Sequence, residues 1–294
     1  MRGSFKPFLI RLSVLLGALA VCQFSPAELL VSNYFGNNVS RFDSHTGKFL
    51  GILDGGSLKG PLAMRVGPDG LLYVCSESNN TIQRFNLKTH QYVDTIVSGD
   101  TLKNPAGIAF DAKKNILVGN FENSSITKYK PTGEPIGTLV ESGSGQMKGP
   151  DVGLVVGPDR KLYVPSFYGG AVLRFDANSG KFLDAFVPAE NGGLTQPRTI
   201  LFRDKKVWIT SDNGNKVLRY RPDGAFIDTF VQPGLGGLKG ASGMAFGDDG
   251  FLYVTSWRNN QVLRYRLTDG SFVDSFISSG LRGPTFLLIV PDSK

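Results

Sequence analysis

Four short apolar runs lie between Ala241 and Gly283: Met244–Phe246, Phe251–Val254, Val262–Tyr265 and Phe272–Ile277. Each is rich in β-branched and aromatic residues, and Gly, Asp and Asn fill the gaps, the composition of strands joined by tight turns. Runs of three to six residues are too short for helices. A single four-stranded sheet that is apolar on both faces needs a neighbour on each side to leave water.

The neighbours recur along the chain. Positions equivalent to Ala241 are Pro61, Pro105, Pro150, Pro197 and Pro284, and the intervals between successive positions are 44, 45, 47, 44 and 43 residues. Four strands repeated at this period predict propeller blades. Five complete units run from Pro61 to Gly283. The stretch 28–53 has the second, third and fourth strands (b, c and d) without a first, and 284–290 has a first strand (a) alone. The two incomplete pieces complement each other. The expected fold is all-β: a six-bladed propeller of four-stranded antiparallel blades over 28–294, with a split blade closed by the two chain ends. Closure removes open sheet edges, and a monomer is expected.

The first residues follow a different pattern. Arg2, Lys6 and Arg11 precede the apolar run 12–21, and no acidic residue occurs before Glu28. That is the layout of a secretory signal peptide over 1–27, too short for a comfortable membrane span. Small residues at Ser25 and Ala27 suit a cut after Ala27, and a cut after Cys22 is the alternative. The remainder carries +4, because 1–27 holds three of the 32 basic residues and none of the 25 acidic ones. So mild a charge, without a concentrated basic stripe, argues against nucleic acid. With Cys22 removed, Cys75 is alone and no intrachain disulfide forms; it reads as a small apolar residue at the end of a strand.

The stretches 61–85 and 241–265 best preserve a pattern of Pro or Ala, Gly, an Asp-Gly turn, Leu-Tyr-Val, Asn-Asn, Val or Ile and Arg-aromatic. It resembles the NHL repeat, over the whole chain after residue 27. The resemblance implies the propeller fold and leaves function open, because similar blades serve as binding domains, sensor domains and a few enzymes. The streptogramin lyases and amidoglycolate lyases, which have related blades, rely on histidines near the channel. Here His45 and His90 fall at the tips of c–d hairpins, away from the channel mouth, and match no catalytic position. Gluconolactonase-like propellers hold a divalent metal through Glu, Asn and Asp around the channel. Glu77, Asn120, Asp151 and Asp212 are the corresponding candidates, of a type that suits hard cations, although Asp and Asn are ordinary turn residues too. No catalytic residue, metal ligand or cofactor is assigned.

In a propeller the b–c loops and d–a connections share one face, and the a–b turns and c–d tips share the other. The a–b turns repeat with little change, whereas the b–c loops vary. At one aligned loop position they carry Tyr34, Glu77, Phe121, Phe167, Asp212 and Trp257, and at the next Phe35, Ser78, Glu122, Tyr168, Asn213 and Arg258. Turns do not need four aromatics at one position, and variable loops on a rigid scaffold commonly carry function. The rings either form a rim for binding or cap the blades as core. Arg198, Asp151, Ser242 and Thr285, just inside the blade openings, are expected near the same mouth. The candidate ligand-binding set is Tyr34, Phe121, Phe167, Tyr168, Arg198, Trp257 and Arg258. A second column, Arg41, Arg84, Lys128, Arg174, Arg219 and Arg264 on strand c, is expected to pack its stems between blades with the charged heads in water.

The expectation is an exported, extracytoplasmic binding or scaffold propeller, gripping a protein or glycan through the b–c face. The alternative is a lyase or lactone hydrolase with a divalent metal in the channel. Protein recovered from the native host is expected to begin near Glu28 or Gln23 on N-terminal sequencing; an intact Met1 on cytoplasmic protein would refute export.

Overall fold

A computed structural model describes residues 27–291, so the signal-peptide reading of 1–27 lies almost wholly outside the described residues. These residues form six four-stranded antiparallel sheets in a ring, a six-bladed β-propeller. Among them, no helix is long and apolar enough to cross a membrane. Blade 1 consists of Pro61–Val66, Leu72–Ser76, Thr81–Phe85 and Tyr92–Ser98 as strands a to d, and blade 5 of Ala241–Phe246, Phe251–Ser256, Gln261–Arg266 and Phe272–Ile277. The split blade joins Pro284–Val290 to Glu28–Asn33, with Val31 opposite Leu287 and Glu28 opposite Val290. Its Leu29, Val31 and Leu287 are buried against Tyr253, Val262 and Ile277 of blade 5.

Blade 3 departs from the repeat. Its strand a is only Val155–Val156, preceded by an isolated bridge between Pro150 and Ser166. Between them the chain turns: Asp151 Oδ1 accepts from Val152 N at 2.7 Å, and Leu154 N donates to Asp151 O at 3.1 Å. The local side-chain bond substitutes for ladder pairing.

Strands a converge on the axis closely enough to exclude side chains at some points. A Cβ on Gly153 would lie 2.0 Å from Arg198 O, and one on Gly107 would lie 2.5 Å from Asp151 O. In blades 1, 2, 4 and 5 the a–b register also slips just after the first residue of strand a. Such bulges re-aim a side chain, here the second residue of the strand. Beneath the mouth, Arg65 ties three blades together, donating through Nε to Ile108 O at 3.1 Å and through Nη2 to Leu154 O at 3.0 Å. Burial lowers its pKa to about 10.

The strand-c bases do not hold their heads in water. Arg84, Arg174, Arg219 and Arg264 each donate through Nε, at 2.8–2.9 Å, to Asp94, Asp184, Asp228 and Asp274 on the neighbouring strand d. Arg41 pairs with Glu28, and Lys128 lies 2.8 Å from Asp111. A planar guanidinium satisfied by a carboxylate directly across the ladder is better served than by a solvated head. Cys75 is fully buried, in strand b of blade 1.

Deleting the last eleven residues opens the ring and exposes Leu29 and Val31. The melting temperature is expected to fall by roughly ten degrees or more; an unchanged melting curve would show that the split blade does not close the fold.

Candidate functional site

Five of the six b–c loops are tied at both ends, and in blade 3 Gly170 stands where the others have a side chain. Residues in the left-handed region close most of them: Asn37, Asn80, Ser124, Asn215 and Asn260. Asn adopts this conformation more readily than most residues. The same side chains accept a backbone N–H from the connection entering the next blade, as in Gly240 N to Asn215 Oδ1 and Gly283 N to Asn260 Oδ1, both 2.7 Å. The first two loop residues donate backward to the connection entering their own blade, as in Trp257 N to Gly240 O and Arg258 N to Lys239 O. Variable side chains are thus displayed on a backbone frame that most blades share.

The loops surround a cavity of about 260 Å³ at the channel mouth, lined by Tyr34, Phe35, Glu77, Phe121, Phe167, Tyr168 and Trp257 from the loops and by Leu62, Asp151, Arg198 and Thr285 from below. Of the seven sequence-derived candidates, six line it. The seventh, Arg258, stands beside it, with its guanidinium 5.6 Å from the Trp257 ring centre. The aromatics are neither all rim nor all core. Tyr34, Phe121, Phe167 and Trp257 are half-buried. Phe35 and Tyr168, one position further out, are 56% and 66% exposed. On one side Phe121, Phe167 and Tyr168 pack with ring centres 5.1–5.8 Å apart. On the other Phe35 lies 6.5 Å from Trp257.

Arg198 organises the floor. Its guanidinium lies 5.1 Å from the Phe167 ring centre and 5.8 Å from that of Trp257, within cation–π range of both. Nη1 donates to Ser242 Oγ at 2.8 Å, and Ser242 Oγ donates on to Thr285 O. Nε sits 3.0 Å from Asp151 Oδ2 and 3.3 Å from Asp212 Oδ2, ion contacts without hydrogen-bond alignment. Asp212 also accepts from Trp257 Nε1 at 2.9 Å and Arg258 Nη2 at 2.7 Å. Two carboxylates and two guanidiniums therefore nearly cancel. Burial still pushes both aspartates above their ordinary pKa, against the pull of Arg198. Across the mouth Tyr34 donates its hydroxyl to Glu77. Burial raises Glu77, with the Tyr34 hydrogen bond opposing, and burial together with Glu77 moves Tyr34 to about 12.

The metal candidates do not fit a cation. Asn120 is committed to its own hairpin, accepting from Lys103 N and donating to Ser125 and Thr127. Asp151 and Asp212 face a guanidinium whose charge would repel the ion. Among the described residues, no group of three His, Cys, Asp or Glu has the geometry to hold a metal. His45 lies 3.9 Å from Asp248 and His90 3.3 Å from Glu28, both at c–d tips.

Neither a protein-family model nor a curated protein matches the sequence. Solved structures do match in fold. A chain of a nidogen/laminin complex is 18% identical, covers 90% of this chain and 98% of its own, and superposes with a TM-score of 0.69. A protein of unknown function from Bacteroides caccae is 14% identical over 90% and 99%, with a TM-score of 0.66. A catalytically inactive virginiamycin B lyase from Staphylococcus aureus, solved with quinupristin, is 16% identical over 92% and 94%, with a TM-score of 0.63. At these identities the likeness is to the six-bladed propeller architecture alone.

Glu77 gives the site a pH signature. The folded protein holds a proton on Glu77 more tightly than the unfolded chain does, so ionising it costs stability. The cost is complete above the folded value and disappears once the pH drops below the unfolded glutamate value of about 4.3. Glu77→Gln keeps an acceptor for Tyr34, so it is expected to melt higher than wild type at pH 8. The difference should close as the pH falls toward 4; a constant difference across that range would contradict this account of the floor.

Proposed function

We propose that this chain is an exported, non-catalytic binding propeller of the NHL type, acting as a monomer and gripping a protein or glycan at the mouth between its b–c loops. The observation that carries the reading is the arrangement around Arg198. One guanidinium, on a side chain only 12% exposed, lies within cation–π range of both Phe167 and Trp257, while Phe35 and Tyr168 beside them keep most of their surface in water. Rings fixed from below and open above lose little entropy on contact, which favours binding. Tyr, Trp and Arg are the side chains most often found at binding hot spots. The concave mouth suits one inserted group rather than a whole surface.

The alternative, a lyase or lactone hydrolase using a divalent metal, draws support from fold likeness to lyases. It is disfavoured by the donors themselves, since Asn120 is engaged elsewhere and Arg198 occupies the space between Asp151 and Asp212.

Trp257→Ala removes the Arg198 contact and one hydrogen bond to Asp212. With Trp257 only half-buried, the stability loss is expected to be roughly 1–3 kcal/mol, with the fold retained. Ligands found for the wild type on a combined glycan and peptide array are expected to bind roughly 2 kcal/mol more weakly. Unchanged affinity per folded molecule would remove the residue, and most of the case for this face. Stoichiometric divalent metal retained through purification would instead revive the enzymatic reading.

A further inference from the structure

The d–a connections place a second set of bases around the same mouth. Just before each blade opens, the chain reads Leu58-Lys59-Gly60, Leu102-Lys103-Asn104, Met147-Lys148-Gly149, Leu238-Lys239-Gly240 and Leu281-Arg282-Gly283; only blade 4 differs, with Leu194-Thr195-Gln196. These bases are structurally equivalent. Each carbonyl accepts from the outer loop residue of its blade: Lys59 O from Ser78, Lys103 O from Glu122, Lys148 O from Tyr168, Lys239 O from Arg258 and Arg282 O from Phe35, at 3.0–3.3 Å. Four of the five are exposed and Lys103 is half-buried.

Their surroundings differ from those of the strand-c bases. All six strand-c bases have a carboxylate partner. Among the described residues, none of the five rim bases forms an ion pair. Of the three acids in the b–c loops, Glu77 and Asp212 are buried and only Glu122 is exposed. Asp54, in the connection leading to Lys59, is held at the other end, where its backbone pairs with His90 and Tyr92. In the arc Lys239, Arg282 and Lys59, with Phe35 and Trp257 inside it, the b–c loops therefore carry no exposed acid, and the exposed acid of the connections is Asp54 at its far end.

Unpaired bases at a regular spacing around exposed rings call for a ligand with repeated anions and flat apolar faces. A folded protein partner fits this face poorly. Lysine is depleted in protein–protein interfaces, and the large exposed apolar side chains of the b–c loops are just Phe35 and Tyr168. We propose, resting on the b–c face being the binding face, that the rim binds an acidic polysaccharide. A sugar ring would lie against Phe35 or Tyr168 at the mouth, with its carboxylates or sulfates spread over Lys59, Lys239 and Arg282. The flexible lysines act as point charges suited to a repeating chain rather than as clamps for one fixed carboxylate.

The test titrates the purified protein with polygalacturonate, heparin, dextran, polyglutamate and oligouridylate, followed by tryptophan fluorescence. The chain has two tryptophans, and Trp208 is buried, so Trp257 reports on the rim. Polygalacturonate or heparin is expected to bind and change the signal, more weakly as salt rises; which of the two binds identifies the anion. The triple variant Lys59→Gln/Lys239→Gln/Arg282→Gln is expected to lose at least tenfold in affinity without a change in melting. The opposite-face control Lys48→Gln/Lys181→Gln/Arg266→Gln is expected to bind as wild type. Dextran bound as well as the acidic chains, with the rim triple unaffected, would overturn the anionic assignment and leave the face intact. Tighter binding of polyglutamate or oligouridylate would overturn the carbohydrate assignment. Equal losses in the rim and control triples would reduce the effect to general charge and overturn the site. Acidic chains bound undiminished by both the rim triple and Trp257→Ala would overturn this proposal and the face together. Failure of every probe would overturn this proposal while leaving the array result to judge the face.

Discussion

The structure depends on how closely six strands can approach one axis. At Gly107 and Gly153 a neighbour's backbone stands where a side chain would begin. The crowding has two consequences. Strand a cannot run in perfect register with strand b from its first residue, so it bulges and the second residue turns toward the mouth. Where the bulge is largest, in blade 3, most of the strand is given up and Asp151 bonds its own turn instead. The floor of the mouth is thus a product of the closure geometry, and its chemistry is whatever occupies that second position: Leu62, Asp151, Arg198, Ser242 and Thr285 in five of the blades.

Arg198 converts that geometry into a rigid site. It comes from blade 4 but contacts Asp151 of blade 3 and Ser242 of blade 5, and Ser242 passes the chain of hydrogen bonds to Thr285 of the split blade. Removing one partner of such a buried arrangement leaves a charge without compensation, which costs more than the pairing gains. The two rings that flank the guanidinium inherit its fixed position. That is why Phe167 and Trp257 are half-buried while serving as the walls of an open cavity. The choice between core cap and binding rim is resolved by depth: the inner aromatic of each loop packs on the floor, and the outer one, Phe35 or Tyr168, faces water.

The fold was legible in the sequence because its signal is periodic and redundant. A repeat of about 44 residues, and two broken ends that complete one another, determine the blade count and the closure. The mouth was legible as an aligned column of loop residues for the same reason. What escaped was pairing between columns. The heads of Arg84, Arg174, Arg219 and Arg264 were expected in water, although Asp94, Asp184, Asp228 and Asp274 recur at a constant place in strand d and stand opposite them in the ladder. The signal was present in the repeat but needed the c–d register to be read. The interrupted strand a of blade 3 had no such signal, since it follows from crowding by other blades. The pairing of Arg198 with Asp151 and Asp212 was equally hidden, because Asp151 comes from the preceding repeat, and Arg198 and Asp212, though of one repeat, sit on strand a and in the b–c loop and meet only at the mouth.

The same repeat carries bases in two columns, and their different fates follow from where the ladder puts them. A base on strand c lies against its own blade with a carboxylate of that blade at hand, in four of the six cases the strand-d aspartate directly opposite it in the ladder. Its charge is spent inside the blade, and its field beyond the surface is small. A base in the turn before strand a has no ladder neighbour, and its backbone is occupied in holding the b–c loop. Apart from the half-buried Lys103, its side chain extends into solvent. Symmetry then multiplies the effect, because whatever one connection displays, five of the six display around one axis. Like charges gathered along the arc Lys239, Arg282 and Lys59 repel one another in the absence of a counter-ion, and such an arrangement favours an approaching anion. In a chain whose part after residue 27 is only mildly basic, the location of the charge matters more than its sum. The bases that pair build the blades, and those left unpaired give the mouth its electrostatic character.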